Sequence, residues 1–168
     1  MNPLRRLDNQ QELSDLTGKI CVEVGVYRGD FAKTILLSNP AKLYLVDCWE
    51  HQATAYDDVA NLSDVRQNEN YIFTQERFAG DARVELIKGY SMEASYMFSD
   101  EVIDFVYIDA NHSAEACLND MICWWPKIKI GGWITGHDYA WPSVRDAIRR
   151  FRRQEIPLTR DSWGIQKC

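Results

Sequence analysis

The sequence predicts an α/β domain whose sheet is mostly parallel and covered by helices on both faces. Three observations predict it. A chain of 168 residues, 46% hydrophobic and 26% charged, suits one globular unit able to bury roughly 70% of its unfolded surface. From residue 18 onward, short apolar runs alternate with stretches at helical spacing, the pattern of a sheet buried on both sides. The polar residues that interrupt this pattern fall just past strand ends, where such sheets bind ligands.

Residues 19–24, KICVEV, form a first strand ending at Gly25, and residues 31–37 follow at helical spacing until Ser38-Asn39-Pro40 stops them. Residues 43–46 are a second strand ended by Asp47, and residues 84–88 a third closed by Gly89. Residues 102–108 are the fourth and most apolar strand, ended by Asp109. A helix is expected over 113–128, a fifth strand over 133–135, and a helix over 142–153 with Val144, Ala147, Ile148 and Phe151 on one face. The tail reads as two short strands, 156–160 and 163–166, joined by a turn. Residues 49–80 are longer than one crossover helix needs and are polar, with Tyr56, Asp57, Asp58, Tyr71 and Phe73, which leaves room for an irregular substrate flap. Residues 1–17 form an arm or helix, and with no repeat or linker the whole of 1–168 is expected to be a single domain.

Composition excludes several classes. Nine Gly and five Pro are too few for a low-complexity chain, and no apolar run approaches the roughly 18 residues of a membrane span. Nineteen basic against 25 acidic residues, a net charge of −6, disfavour binding to nucleic acid through phosphate neutralisation. The arginines at 145, 149, 150, 152 and 153 fit the solvated face of an amphipathic helix. The first residues carry positive charge without an apolar run behind them, unlike a secretory signal, and five cysteines (21, 48, 117, 123, 168) show no metal-ligand rhythm. A cytoplasmic protein with reduced thiols is expected.

The strand-end residues divide into two groups. The first strand leads through Glu23-Val24-Gly25-Val26-Tyr27-Arg28-Gly29 into a helix, a place where backbone can approach a ligand closely. Its GxxxG spacing does not match the GxGxxG of a nicotinamide dinucleotide site. Asp47, about twenty residues on, suits an acceptor for ribose hydroxyls, and Gly89-Tyr90-Ser91 can frame a base. The second group is Asp109, His112, His137 and Asp138. Two carboxylates and imidazoles at neighbouring strand ends suit Mg²⁺, Mn²⁺ or a similar divalent ion, and equally they suit caps on the helices that follow. Trp124, Trp125 and Trp133 fit core positions, whereas Trp49 and Trp141, just past strand ends, can wall a pocket.

Taken together, ExGxxxG after strand one, an acid after strand two, IDANH after strand four and GGWITGHDY after strand five resemble a class I S-adenosylmethionine-dependent methyltransferase. More narrowly they resemble the metal-dependent small-molecule O-methyltransferases of the catechol and macrolide-sugar type. The resemblance covers roughly 18–168. It implies a three-layer Rossmann-like sheet with an antiparallel C-terminal strand. It implies that Glu23 and Gly25 line the methionine part of the cofactor with Tyr27 and Gly29 nearby, that Asp47 holds the ribose, that Ser91 lies beside the adenine, and that Asp109 sits between cofactor and metal. The metal ligands it implies are Asp109, His137 and Asp138, with His112 as general base. His137 stands where those families usually carry an acid, so it is either the third ligand or a residue that points at the substrate. The expected reaction is methyl transfer to a hydroxyl of a small molecule, a sugar or natural-product scaffold. A non-catalytic cofactor-binding module or partner subunit is the alternative. No nucleic-acid or membrane partner is expected, and the sequence leaves room for a homo-oligomer.

Overall fold

The structure is a computed structural model that describes residues 4–6, 12–13, 16–52, 58–151, 156–157 and 161–168. Tyr56 and Asp57 of the expected flap, Arg152 and Arg153 at the end of the expected last helix, and residues 158–160 of the tail lie outside the described residues. The elements in chain order are β1 (Leu4–Arg6), β2 (Glu12–Leu13), β3 (Ile20–Val24), α1 (Asp30–Leu37), β4 (Lys42–Asp47), α2 (Asp64–Phe78), β5 (Val84–Lys88) and α3 (Ser91–Ser95). They continue with β6 (Ile103–Ile108), α4 (Ala114–Trp124), a 3₁₀ turn (Trp125–Lys127), β7 (Ile128–Gly136), α5 (Pro142–Phe151), β8 (Ile156–Pro157) and β9 (Trp163–Gln166).

Seven strands form the main sheet in the order β5-β4-β3-β6-β7-β9-β8. The first five neighbours pair in parallel, while β9 runs antiparallel to both β7 and β8, as the resemblance implies. Strand order reverses at β3, which pairs with β4 on one side and β6 on the other, so the crevice past β3 and β6 is the switch point of the sheet.

The period of two along each strand sends alternate side chains to the two faces. Val22, Val24, Val106, Ile108 and Ile134 pack with Met121 and Trp124 of α4 and Ala147 and Ile148 of α5. Cys21, Leu43, Leu45, Phe105 and Tyr107 pack on the other side with Ala32 and Ile35 of α1 and Phe78 of α2. Each such buried aliphatic or aromatic side chain contributes about 1.5–3 kcal/mol, which is why the sheet is the rigid part of the molecule.

Residues 1–17 contain no described helix; β1 and β2 pair antiparallel as a small separate sheet. The segment 49–80 is half helix, because α2 occupies Asp64–Phe78. Its buried positions are Gln67, Asn70, Thr74 and Phe78, a helical face that is mostly polar and so leaves no apolar period to detect. Trp49 does not wall the pocket. It is 1% exposed in the core with its indole N–H donated to the Tyr27 carbonyl at 2.9 Å. All five cysteines are free, and burial pushes the thiols of Cys21 and Cys117 up to about 12, so these two are inert apolar fillers; Cys168 is exposed.

Candidate active site

The carboxyl ends of β3, β4, β5 and β6 open into a cleft of about 380 Å³. Of the residues expected to hold the cofactor, Gly25, Tyr27, Asp47, Ser91 and Asp109 line it. Gly25 explains its own identity: with φ at +88° it lies directly against the Asp109 main chain, and a Cβ there would strike the Asp109 carbonyl. Asp109 N–H donates to the Val24 carbonyl at 2.7 Å, and Gly25 N–H donates to the Val46 carbonyl at 2.9 Å, so three strand ends are tied together at this glycine. Gly29 (φ +73°) caps the start of α1 and faces the Phe78 ring rather than the cleft.

Glu23 lies under this loop, 2% exposed, and among the described residues its Oε2 has no hydrogen-bond partner. Burial, with the charges of Asp109, Asp47 and Asp30 added, raises its pKa well above the usual carboxylate range. A buried acid with a spare oxygen next to the cleft-lining Val24 and Gly25 fits a polar ligand. Asp47 does more than face the cleft. Its Oδ2 accepts from the main-chain N–H of Val26 (2.8 Å) and Tyr27 (2.9 Å), and its Oδ1 from Trp49 N–H at 2.8 Å. Those bonds hold Tyr27 at φ 53° and Trp49 at φ 44°, left-handed conformations that cost energy unless the surroundings fix them. Glu50, overlooked in the sequence, also lines the cleft and accepts from the Tyr90 hydroxyl at 3.2 Å. Ser91 Oγ accepts the Trp124 indole N–H at 2.9 Å.

A hydrogen-bonded group of amide residues also lines the cleft. Gln52 and Asn61 exchange two bonds of 2.9 Å, Asn111 donates to Gln52 Oε1 at 2.8 Å, and Gln67 donates to the Ala60 carbonyl at 2.8 Å.

The second group of residues lies close together. Ligand atoms of Asp109, His137 and Asp138 lie within 4.8 Å of one another. His112 reaches Asp138 with Nε2 at 2.8 Å and Asp109 at 3.4 Å, while its Nδ1 meets Asp58 at 3.0 Å. His137 meets Asp138 (3.4 Å) and Asp109 (3.9 Å) with Nδ1 and Asp161 (3.5 Å) with Nε2. Asp138 sits at φ 55°, a further strained position in the site. Burial opposes charge on His112, yet its bonds to Asp109 and Asp138 and their charges prevail and push it up to about 10. The bond to Asp138, with Asp109 and Asp161 nearby, outweighs burial and lifts His137 to about 8. Burial would raise Asp138, but the two histidines hold it well below the usual carboxylate range. Helix capping does not explain Asp109 and His112, since the cap of α4 is Ser113, whose side chain accepts from Ala116 N–H. Trp141, 43% exposed, stands with its ring centre 5.1 Å from that of His112. Asp58 and Asp161 were not singled out for this cluster by the sequence; each lies in a loop, and only its acidity could have marked it.

The carboxylate–imidazole set fits a divalent cation. The profile of a family described as a methyltransferase domain matches residues 22–139. Among solved structures, the O-methyltransferase NovP is similar at 18% identity, with 90% of this chain and 72% of that one covered and a TM-score of 0.67. A Streptococcus mutans protein crystallised with S-adenosylhomocysteine (SAH) gives 15% identity, 92% and 91% coverage and 0.64. Spermidine synthase from Thermotoga maritima gives 14%, 90% and 55%, and 0.58, so the fold is shared across different reactions. A sequence search of the curated proteins finds no match. Among the described residues no helix is long and apolar enough to cross a membrane.

Proposed function

Because the chain belongs to this methyltransferase-domain family, and is an S-adenosylmethionine-dependent methyltransferase, we propose that it methylates a hydroxyl of a small molecule with the help of a divalent cation. The observation that carries the proposal is the place of Asp109. Its main chain packs on Gly25 of the cofactor loop, while its side chain belongs to the His112, His137 and Asp138 cluster. Methyl donor and proton acceptor therefore meet at one residue.

In this reading Glu23 and Gly25 face the methionine part of the cofactor, with Tyr27 and Gly29 beside it. Asp47 and Glu50 face the ribose hydroxyls, and Ser91 the adenine. Asp109, His137 and Asp138 hold the cation, Mg²⁺ or Mn²⁺ by their oxygen-rich donor set. Bound there, it would lower the hydroxyl's pKa and offset the carboxylate charge that keeps His112 protonated. His112, held at Nδ1 by Asp58, takes the acceptor proton on Nε2. Trp141 offers the acceptor a flat apolar face suited to a sugar or aromatic ring.

The test is methyl transfer from labelled S-adenosylmethionine to a panel of catechols, sugars and hydroxylated macrolides, with Mg²⁺ or Mn²⁺ and again in excess EDTA. O-linked label that disappears in EDTA is expected. Undiminished transfer in EDTA removes the cation from the mechanism, and cofactor binding without transfer to any acceptor favours the non-catalytic alternative.

A further inference from the structure

His137 follows β7 directly, and its main chain is pinned on both sides. Its N–H donates to the Ile108 carbonyl of β6 at 3.1 Å, and its own carbonyl accepts the Trp163 indole N–H of β9 at 3.1 Å. The imidazole is engaged at both ends. Nδ1 faces Asp138 at 3.4 Å and Asp109 at 3.9 Å, and Nε2 faces Asp161 at 3.5 Å. A histidine aimed at the acceptor would keep one ring nitrogen for it, and here carboxylates occupy both. Two features separate this contact from a simple ion pair. Donor atoms that share one ion at about 2.1 Å lie roughly 3–4 Å apart, and the Nδ1 distances fall in that range. A carboxylate behind the outer nitrogen, as Asp161 is here, is the arrangement that fixes ring and tautomer in a metal-binding histidine.

We infer that the cation site selects Mn²⁺ over Mg²⁺ through His137, which supplies a nitrogen ligand at Nδ1 while Asp161 holds the far side of the ring. The inference rests on the reading that Asp109, His137 and Asp138 hold the cation, and it narrows the two ions named there to one. Mg²⁺ demands oxygen donors in a near-ideal octahedron and sheds its water reluctantly. Mn²⁺ opens the first-row series that binds mixed nitrogen and oxygen sites. A carboxylate or amide at position 137 would make the donor set all oxygen and remove the distinction. Asp161 is a positioning residue, since it reaches the ion only through the imidazole.

The experiment is calorimetry of Mn²⁺ and of Mg²⁺ against the metal-stripped chain, in wild type, His137→Asp, His137→Asn and Asp161→Asn. The ratio of the two affinities is the readout, because the charge added by His137→Asp strengthens both ions alike and cancels. Wild type should bind Mn²⁺ at least about 100-fold more tightly than Mg²⁺, and both position-137 variants should cut that ratio at least about ten-fold. Asp161→Asn should weaken Mn²⁺ about 10–100-fold and Mg²⁺ less. An unchanged ratio in a folded position-137 variant overturns the inference, since a purely structural His137 would affect both ions equally.

Pulsed EPR of bound Mn²⁺ assigns the nitrogen. The chain has 3 histidines, and the ring of His51 is bound to the Leu62 carbonyl. His112 reaches the same acids with Nε2, so His112→Gln is the variant that isolates His137. Nitrogen coupling should survive in His112→Gln and be lost in His137→Asp. If the position-137 variants do not fold, His112→Gln decides alone: coupling there supports the inference, and its absence ends it. Failure of wild type to bind either ion defeats the underlying cation reading, whereas binding with an unchanged ratio defeats only the role of His137.

Discussion

The two ends of the cleft are built by opposite means. At the cofactor end, main chain does the shaping: Gly25 lies on the Asp109 backbone, and Asp47 gathers three main-chain N–H groups. At the acceptor end, side chains do it: two histidines and four carboxylates from different loops hold one another in place. Main-chain construction ties a site to the sheet, which tolerates little change. Side-chain construction leaves residues replaceable one at a time, which suits the acceptor side in the proposed reading.

That contrast can be broken at the acceptor end first. His112→Ala should lower kcat about 10²–10⁴-fold with SAH affinity nearly unchanged and the melting temperature somewhat lowered, because the imidazole pairs with Asp58, Asp109 and Asp138 but does not support the cofactor loop. His112→Gln should be nearly as slow, since an amide cannot take the proton. Steady-state rates and thermal melts on the same samples decide it, and normal turnover in either variant ends the general-base assignment. At the cofactor end, Asp47→Ala should weaken SAH binding by about 1.5–3 kcal/mol and also lower the melting temperature, because the same carboxylate holds the loop. Loss of affinity with full thermal stability would show that Asp47 meets ligand without building its surroundings. Asp58→Asn should cost about 10–100-fold in kcat, the scale for a residue that orients another, and leave SAH affinity alone.

The remaining effect is on stability. The Asp120 carboxyl, buried on α4, titrates near 7 in the folded chain and near 4 when unfolded, so the folded state binds the extra proton between those values. Ser91 on α3 is its hydrogen-bond partner, and Cys123 on α4, pushed up to about 11, stays neutral throughout. Stability should therefore fall as pH rises from about 4 to about 7, by at most about 1.4 kcal/mol per pH unit, and level off above. Urea titrations should show that slope reduced in Asp120→Asn; an identical slope in the variant would place the titrating group elsewhere.

The same contrast explains what could be read from the sequence. The five parallel strands and the residues just past them were legible because a two-sided parallel sheet must be apolar, so polar residues at its strand ends stand out. Glu23, Gly25, Asp47, Asp109, His112, His137 and Asp138 all carry that mark. Helix α2 was not legible, because three of its four buried residues are polar: Gln67 donates to the Ala60 carbonyl, Thr74 to the Asn70 carbonyl, and Asn70 to the Gln67 side chain. Asp58 and Asp161 sit in loops, where an acid is ordinary until the fold brings it to a histidine. Asp120, which lines the cleft, hid inside a helix already explained by its apolar neighbours. Trp49 misled because its position past a strand suggested a wall, while its size and a partner for its N–H put it in the core.

Gly25 has one more consequence. The carbonyl it rests on belongs to Asp109, so nothing but main chain separates the loop that carries the donor from the residue that anchors the acceptor side. In the proposed reading, the gap across which the methyl group travels is then set by a ruler whose marks are the hydrogen-bonded spacing of adjacent strands, β3 and β6. Such a ruler does not drift when surface loops are exchanged for others. A lineage could recut the acceptor pocket many times and keep the reaction distance, and an engineer who grafts new loops onto this sheet inherits that distance with it.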